Sequence, residues 1–190
     1  LGSLALAVLD PLAAHVHMGR VRPGNRTGER DRQAFEARLG HVFADASLLE
    51  RALCHSSVLD RAATVSTYQR LEFLGDRVLG LIIAAVPQRR FPAADEGELA
   101  VRYNALVRKE ACAEIAVAIG LGAHLRLGAG EERAGGREKA AILADACEAV
   151  IAALYLDGGL DTARRFIETE WAGLVTAPAK LPQDAKTVLQ

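Results

Sequence analysis

The strongest constraint on this chain is an apolar helix-forming run that carries two carboxylates. In Tyr68-Gln69-Arg70-Leu71-Glu72-Phe73-Leu74-Gly75-Asp76-Arg77-Val78-Leu79, Glu72 and Asp76 stand four residues apart. At about 100° per residue that spacing places them one turn apart on one helix face. Leu71, Leu74, Val78, Leu79, Leu81 and Ile82 cover most of the remaining circumference, so the helix is expected to be buried on several sides. Ionised carboxylates in such a place cost on the order of several kcal/mol unless a cation or a hydrogen-bond donor compensates them.

A second run repeats the pattern. Residues 139–154, Lys139-Ala140-Ala141-Ile142-Leu143-Ala144-Asp145-Ala146-Cys147-Glu148-Ala149-Val150-Ile151-Ala152-Ala153-Leu154, read as an Ala-rich apolar helix whose only acids are Asp145 and Glu148. A spacing of three leaves them roughly 60° apart in azimuth, within reach of one ion. Two apolar helices with two carboxylates each predict that Glu72, Asp76, Asp145 and Glu148 converge on a metal. Oxygen ligands without His or Cys favour Mg²⁺, with Mn²⁺ as a substitute, over zinc.

The 190 residues, 51% of them hydrophobic, suffice for one domain-sized core and a tail. A net charge of −1 is low for a nucleic-acid binder, which usually presents a basic face. Two accounts stand: acids sequestered at a metal make the formal total understate the positive surface, or much of the affinity belongs to a module outside this chain. Cys54, Cys112 and Cys147 are too few and scattered for a disulfide framework, which points to a reducing, cytoplasmic setting. Cys147 lies between two acids but one position off their face, and reads as buried filler. No run approaches the roughly 20 apolar residues of a membrane helix. The glycine-rich segment Gly128 to Gly136 is too irregular for a phosphate-binding motif, and no small-molecule organic cofactor is expected.

The periodicity predicts an all-α bundle. Residues 1–32 read as a flexible N-terminal extension: Leu4 to Leu9 is interrupted by Asp10-Pro11, native translation is expected to start at Met18, and residues 18–32 form a basic arm. A folded domain is expected over 33–175. Its helices are a short one ending at Gly40, one capped by Asp45 or Ser47, the first acidic helix capped by Ser66 or Thr67 and running to about Arg89, one starting at Asp95, one from about Lys109 to Ile119, the second acidic helix from about Arg137 to Leu156, and a last one capped by Asp161. Gly128 to Gly136 is expected to be a loop, and Gly158-Gly159 a break. Residues 176–190 turn linker-like.

Several of these stretches resemble, in order, the motifs of the ribonuclease III family. Arg70-Leu71-Glu72-Phe73-Leu74-Gly75-Asp76 resembles its signature, and Ile142-Leu143-Ala144-Asp145-Ala146-Cys147-Glu148-Ala149 its second acidic motif. Ala52-Leu53-Cys54-His55-Ser56-Ser57 matches the segment before the signature. Phe91-Pro92 with Asp95-Glu96-Gly97-Glu98-Leu99, Leu125-Arg126-Leu127-Gly128 and Tyr155-Leu156-Asp157-Gly158-Gly159 match those after it. The resemblance implies a homodimeric endonuclease-domain bundle that cleaves double-stranded RNA to 5′-phosphate and 3′-hydroxyl ends, in the maturation of ribosomal precursors and other RNAs. It implies that Glu148 is the indispensable ligand and that Asp76 orients or deprotonates the water. Glu96 matches a family acid near the groove, although an ordinary first-turn acid explains it nearly as well. Phe73 matches the aromatic that inserts into the partner subunit; a fully internal Phe is the other reading. Gln69 departs from the family, where Glu is common, so any metal or proton-transfer role of that glutamate is in doubt here. Residues 184–190 resemble the opening of a double-stranded-RNA-binding domain. Two other readings remain: a non-catalytic RNA-binding scaffold of the same fold, and an all-α metal-dependent phosphohydrolase of small molecules.

Overall fold

The computed structural model describes residues 26–58 and 68–177. The first 25 residues, the expected caps Ser66 and Thr67, and most of the linker-like tail lie outside the described residues. Those described form helices and two short 3₁₀ turns, and their only strand-like pairing is a single parallel bridge between Cys54 and Arg126.

Helix α1 (Arg26–Leu39) begins earlier than expected, inside the stretch read as a basic arm. The reason is local. Arg32 bonds Glu29 at 2.6 Å and Glu36 at 2.8 Å, three and four residues away, and these pairs support the extra turns. Phe35 and Leu39 are buried, and Gly40 ends the helix at φ 68°. Helix α2 (Ala46–Ala52) is capped by Asp45, whose carboxylate accepts from the Ser47 N–H. Helix α3 (Gln69–Arg90) starts after Tyr68, whose side chain makes no capping bond. Helix α4 (Glu96–Val107) is capped by Asp95 through the Glu98 N–H, and α5 (Lys109–Ala118) follows after a single extended residue, Arg108.

The glycine-rich segment is not a plain loop. It contains α6 (Ala129–Arg133) between 3₁₀ turns at Leu121–His124 and Gly136–Glu138. Distant partners order it: the Gly128 N–H donates to Ser57 Oγ at 2.8 Å, and Arg137 donates to the carbonyls of Gly122 and Leu125 at 2.9 and 2.8 Å. Helix α7 (Ala140–Glu170) carries the expected break: Gly159, at φ 74° and ψ −178°, is not helical, and two helical segments meet there at a kink. Asp161 does not cap a new helix; its carboxylate pairs with Arg164. A short α8 (Ala172–Thr176) closes the described region.

Helix α7 is the axis of the bundle. Ala144, Val150, Ile151 and Leu154 are wholly buried, and α3 and α5 pack most extensively along it. Two polar anchors hold it to the neighbouring elements. Asp157 accepts from His41 Nε2 at 2.7 Å and from the backbone N–H groups of Ala44 and Asp45 at 2.9 and 2.8 Å, fixing the loop that enters α2. The buried Trp171 donates from Nε1 to the Leu106 carbonyl at 2.9 Å, tying the end of α7 to α4.

Candidate active site

The two acidic runs meet where α3 crosses α7, and a glycine makes the crossing possible. A Cβ added at Gly75 would stand 1.7 Å from the Glu148 carbonyl oxygen, so the backbones are in contact there. Gly75 lies between Glu72 and Asp76, so the same close approach that removes its side chain sets their carboxylates against those of α7. Oxygens of Glu72, Asp145 and Glu148 lie within 4.8 Å of one another. Asp76, the fourth predicted member, lines the same groove, but its carboxylate is held by Arg77 Nη1 and is outside that trio.

Burial differs across the cluster. Glu148 is 4% exposed, whereas the side chains of Glu72 and Asp145 are 26% and 20% exposed. Burial first, and then the charge of Asp76, pushes the Glu148 carboxyl up to about 7. Burial and Asp145 raise Glu72. The neighbouring thiol of Cys112, 3.9 Å from Glu148 Oε1, is pushed up to about 12 by burial and by Glu148, which keeps it a neutral thiol and no nucleophile. Cys147 is fully buried, and desolvation raises it as well.

Three carboxylates sharing so small a volume repel one another and call for a cation. Their donor set is oxygen only, since the thiol at its edge stays protonated, and that fits a hard divalent ion such as Mg²⁺. Glu72 and Glu148 open on a groove of about 400 Å³ that Gln69, Phe73, Asp76 and Lys109 also line. Phe73 is 65% exposed, with the Arg77 guanidinium 4.2 Å above its ring, so it is not an internal residue of this chain. Gln69 borders the groove without joining the acids. Glu96 is an exposed first-turn residue of α4 and is absent from the groove lining.

Two residues of the site are missing from the sequence reading. Gly75 carries no chemistry of its own, although its place between two acids in an apolar helix is a usable signal. Lys109 Nζ lies 2.6 Å from Asp145 Oδ1 and 3.9 Å from Glu72 Oε1. Nothing in the chain near Lys109 announces that position, because α5 meets the acids only through the fold.

The chain is similar to known proteins of one family. A family model described as ribonuclease-III-like matches residues 45–173. A protein named Ribonuclease 3 from Azorhizobium caulinodans is 54% identical over 162 residues, covering 85% of this chain and 69% of its own length. Ribonuclease 3 of Rhodopseudomonas palustris is 46% identical over 182 residues, covering 95% and 67%. The crystal structure of the nuclease domain of ribonuclease III from Campylobacter jejuni is 36% identical, with a TM-score of 0.67 over 73% of this chain and 95% of that one. A second structure of that domain, described for structural flexibility in a region involved in dimer formation, is 37% identical at the same TM-score.

Proposed function

The chain belongs to the ribonuclease III family and is an endoribonuclease, and from that premise we propose that it cleaves double-stranded RNA with Mg²⁺ held by Glu72, Asp145 and Glu148. The observation that carries the reading is the convergence of those three carboxylates at the Gly75 crossing, on the floor of an open groove. When bound, the ion supplies positive charge to offset that building on the phosphate and lowers the pKa of water.

The residues of the chain divide the remaining work. Glu148, the most buried of the three clustered acids, is the indispensable ligand, and its raised proton affinity means that loading the site displaces a proton. Asp76 stands one helical turn from Glu72 on the same groove, where it orients or deprotonates the attacking water, with Arg77 holding its carboxylate in place. Cleavage at phosphorus leaves a 5′-phosphate and a 3′-hydroxyl. An A-form duplex is read through shape and 2′-hydroxyls, so sequence preference is weak. Gln69 and Glu96 serve as RNA or outer contacts at most.

Two nicks on opposite strands require two sites, and a two-fold homodimer supplies them. The exposed ring of Phe73 is the interface anchor in this reading. The catalytic domain takes in α1, from Arg26, and extends through α8, to Thr176. The enzyme works in the cytoplasm on ribosomal and other RNA precursors; no helix among the described residues is long and apolar enough to cross a membrane.

A gel assay with duplex and single-stranded RNA of one sequence tests the proposal. Duplex cleavage that needs MgCl₂ and stops in EDTA is expected. Equal cutting of single strands, or full activity in EDTA, would refute it.

A further inference from the structure

The magnesium reading leaves one charged group without a part, and it is the one nearest the acids. The Lys109 ammonium lies 2.6 Å from Asp145 Oδ1 and 3.9 Å from Glu72 Oε1, touching two of the three carboxylates of the cluster. Arg77 and Arg108 also line the groove, and Arg77 is engaged with Asp76. We propose that Lys109 and the divalent ion are alternative counterions for the same carboxylate oxygens, so that Lys109 sets the Mg²⁺ concentration at which the site loads.

The proposal rests on the metal reading above and follows from charge and tether. A carboxylate oxygen that accepts from an ammonium at 2.6 Å offers that lone pair to nothing else, and an ammonium beside a divalent ion meets strong like-charge repulsion. The two cations therefore exclude each other. Lys109 is built to leave. Its side chain is 60% exposed, and it is the first residue of α5, whose next turn is held in the core by Ala111, Cys112 and Ala113. The backbone stays while the flexible four-carbon stem swings into the groove. Without the metal, the tethered ammonium relieves repulsion among Glu72, Asp145 and Glu148; with it, the freed charge lies on the wall of a groove that receives a polyanion.

Lys109→Gln and Lys109→Arg separate this from a merely structural role. In the full chain, Tm is followed during a MgCl₂ titration at constant ionic strength, and the Mg²⁺ dependence of duplex cleavage is measured alongside. Lys109→Gln should lower Tm without metal and bring the Mg²⁺ midpoint down about threefold to tenfold in both readouts, the range set by a single partly exposed ion pair. Lys109→Arg, which keeps the charge, should stay within about twofold of the wild type. A wild-type protein that responds to Mg²⁺ while Lys109→Gln has an equal or higher midpoint would overturn the inference alone, as would equal shifts in both variants. A wild-type protein whose Tm ignores Mg²⁺ would overturn the metal reading and this inference with it.

Discussion

A carboxyl that is 4% exposed and faces further acids keeps its proton longer than a solvated one, and Glu148 is in that position. Burial and the charge of Asp76 lift it from its ordinary 4.5 to about 7. The sign of the consequence follows directly. In the metal-free protein the folded state binds a proton that the unfolded state has released, so stability is fullest below the unfolded value and is lost as pH rises through the folded one. Between about pH 5 and pH 8, Tm without metal should therefore fall by about 5–10 °C through this group, the effect of about 2–3 kcal/mol in a domain of this size. Glu148→Gln should flatten that part of the profile in a thermal scan, and an unchanged slope would show that Glu148 titrates normally. Both this acid and its three companions were legible in the sequence, because carboxylates are conspicuous inside apolar helices. Lys109 was not: a lysine at the first position of a helix is ordinary, and only the packing of α5 against α7 brings it to Asp145.

At the scale of elements, the site depends on how closely α3 and α7 approach. Gly75→Ala would put a Cβ 1.7 Å from the Glu148 carbonyl oxygen, and rigid backbone on both sides leaves no flexible group to yield. The helices must separate, and the acids with them. Overpacking of this kind should lower Tm by about 6 °C or more and weaken Mg²⁺-dependent cleavage in parallel; a variant matching wild type in both would contradict the crossing described here. Helices whose caps are written in the chain, such as α2 at Asp45 and α4 at Asp95, fell where the residues placed them. The misread elements are those held from afar. Arg137 and Ser57 order the glycine-rich segment through carbonyl and amide contacts that have no local signature. The break at Gly158-Gly159, by contrast, was legible: Gly159 leaves helical geometry, and beyond it Thr162 Oγ1 donates to the Gly158 carbonyl at 2.8 Å while Ala163, Phe166 and Ile167 bury the second segment of α7 against the bundle.

For the whole molecule, two large apolar residues stand out on the surface of α3: Phe73 at 65% exposure and Leu81 at 63%. They are eight residues apart, two turns on one helix face, and Arg77 lies between them. A self-associating chain would cover such a stripe. Phe73→Ala should weaken dimerisation about tenfold or more by sedimentation, as for a central aromatic anchor, and an unchanged dimer Kd would remove Phe73 from the interface. The net charge of −1 hides this organisation, since three of the 24 acidic residues are gathered within 4.8 Å of one another at the crossing of α3 and α7. Catalysis by that gathered charge is the central claim, and single-turnover cleavage of duplex RNA by Glu148→Gln at saturating Mg²⁺ tests it most directly. A rate lower by more than about 100-fold, beyond what the loss of an outer partner causes, with circular dichroism and sedimentation unchanged, is the predicted result. A rate within about threefold of the wild type would contradict it.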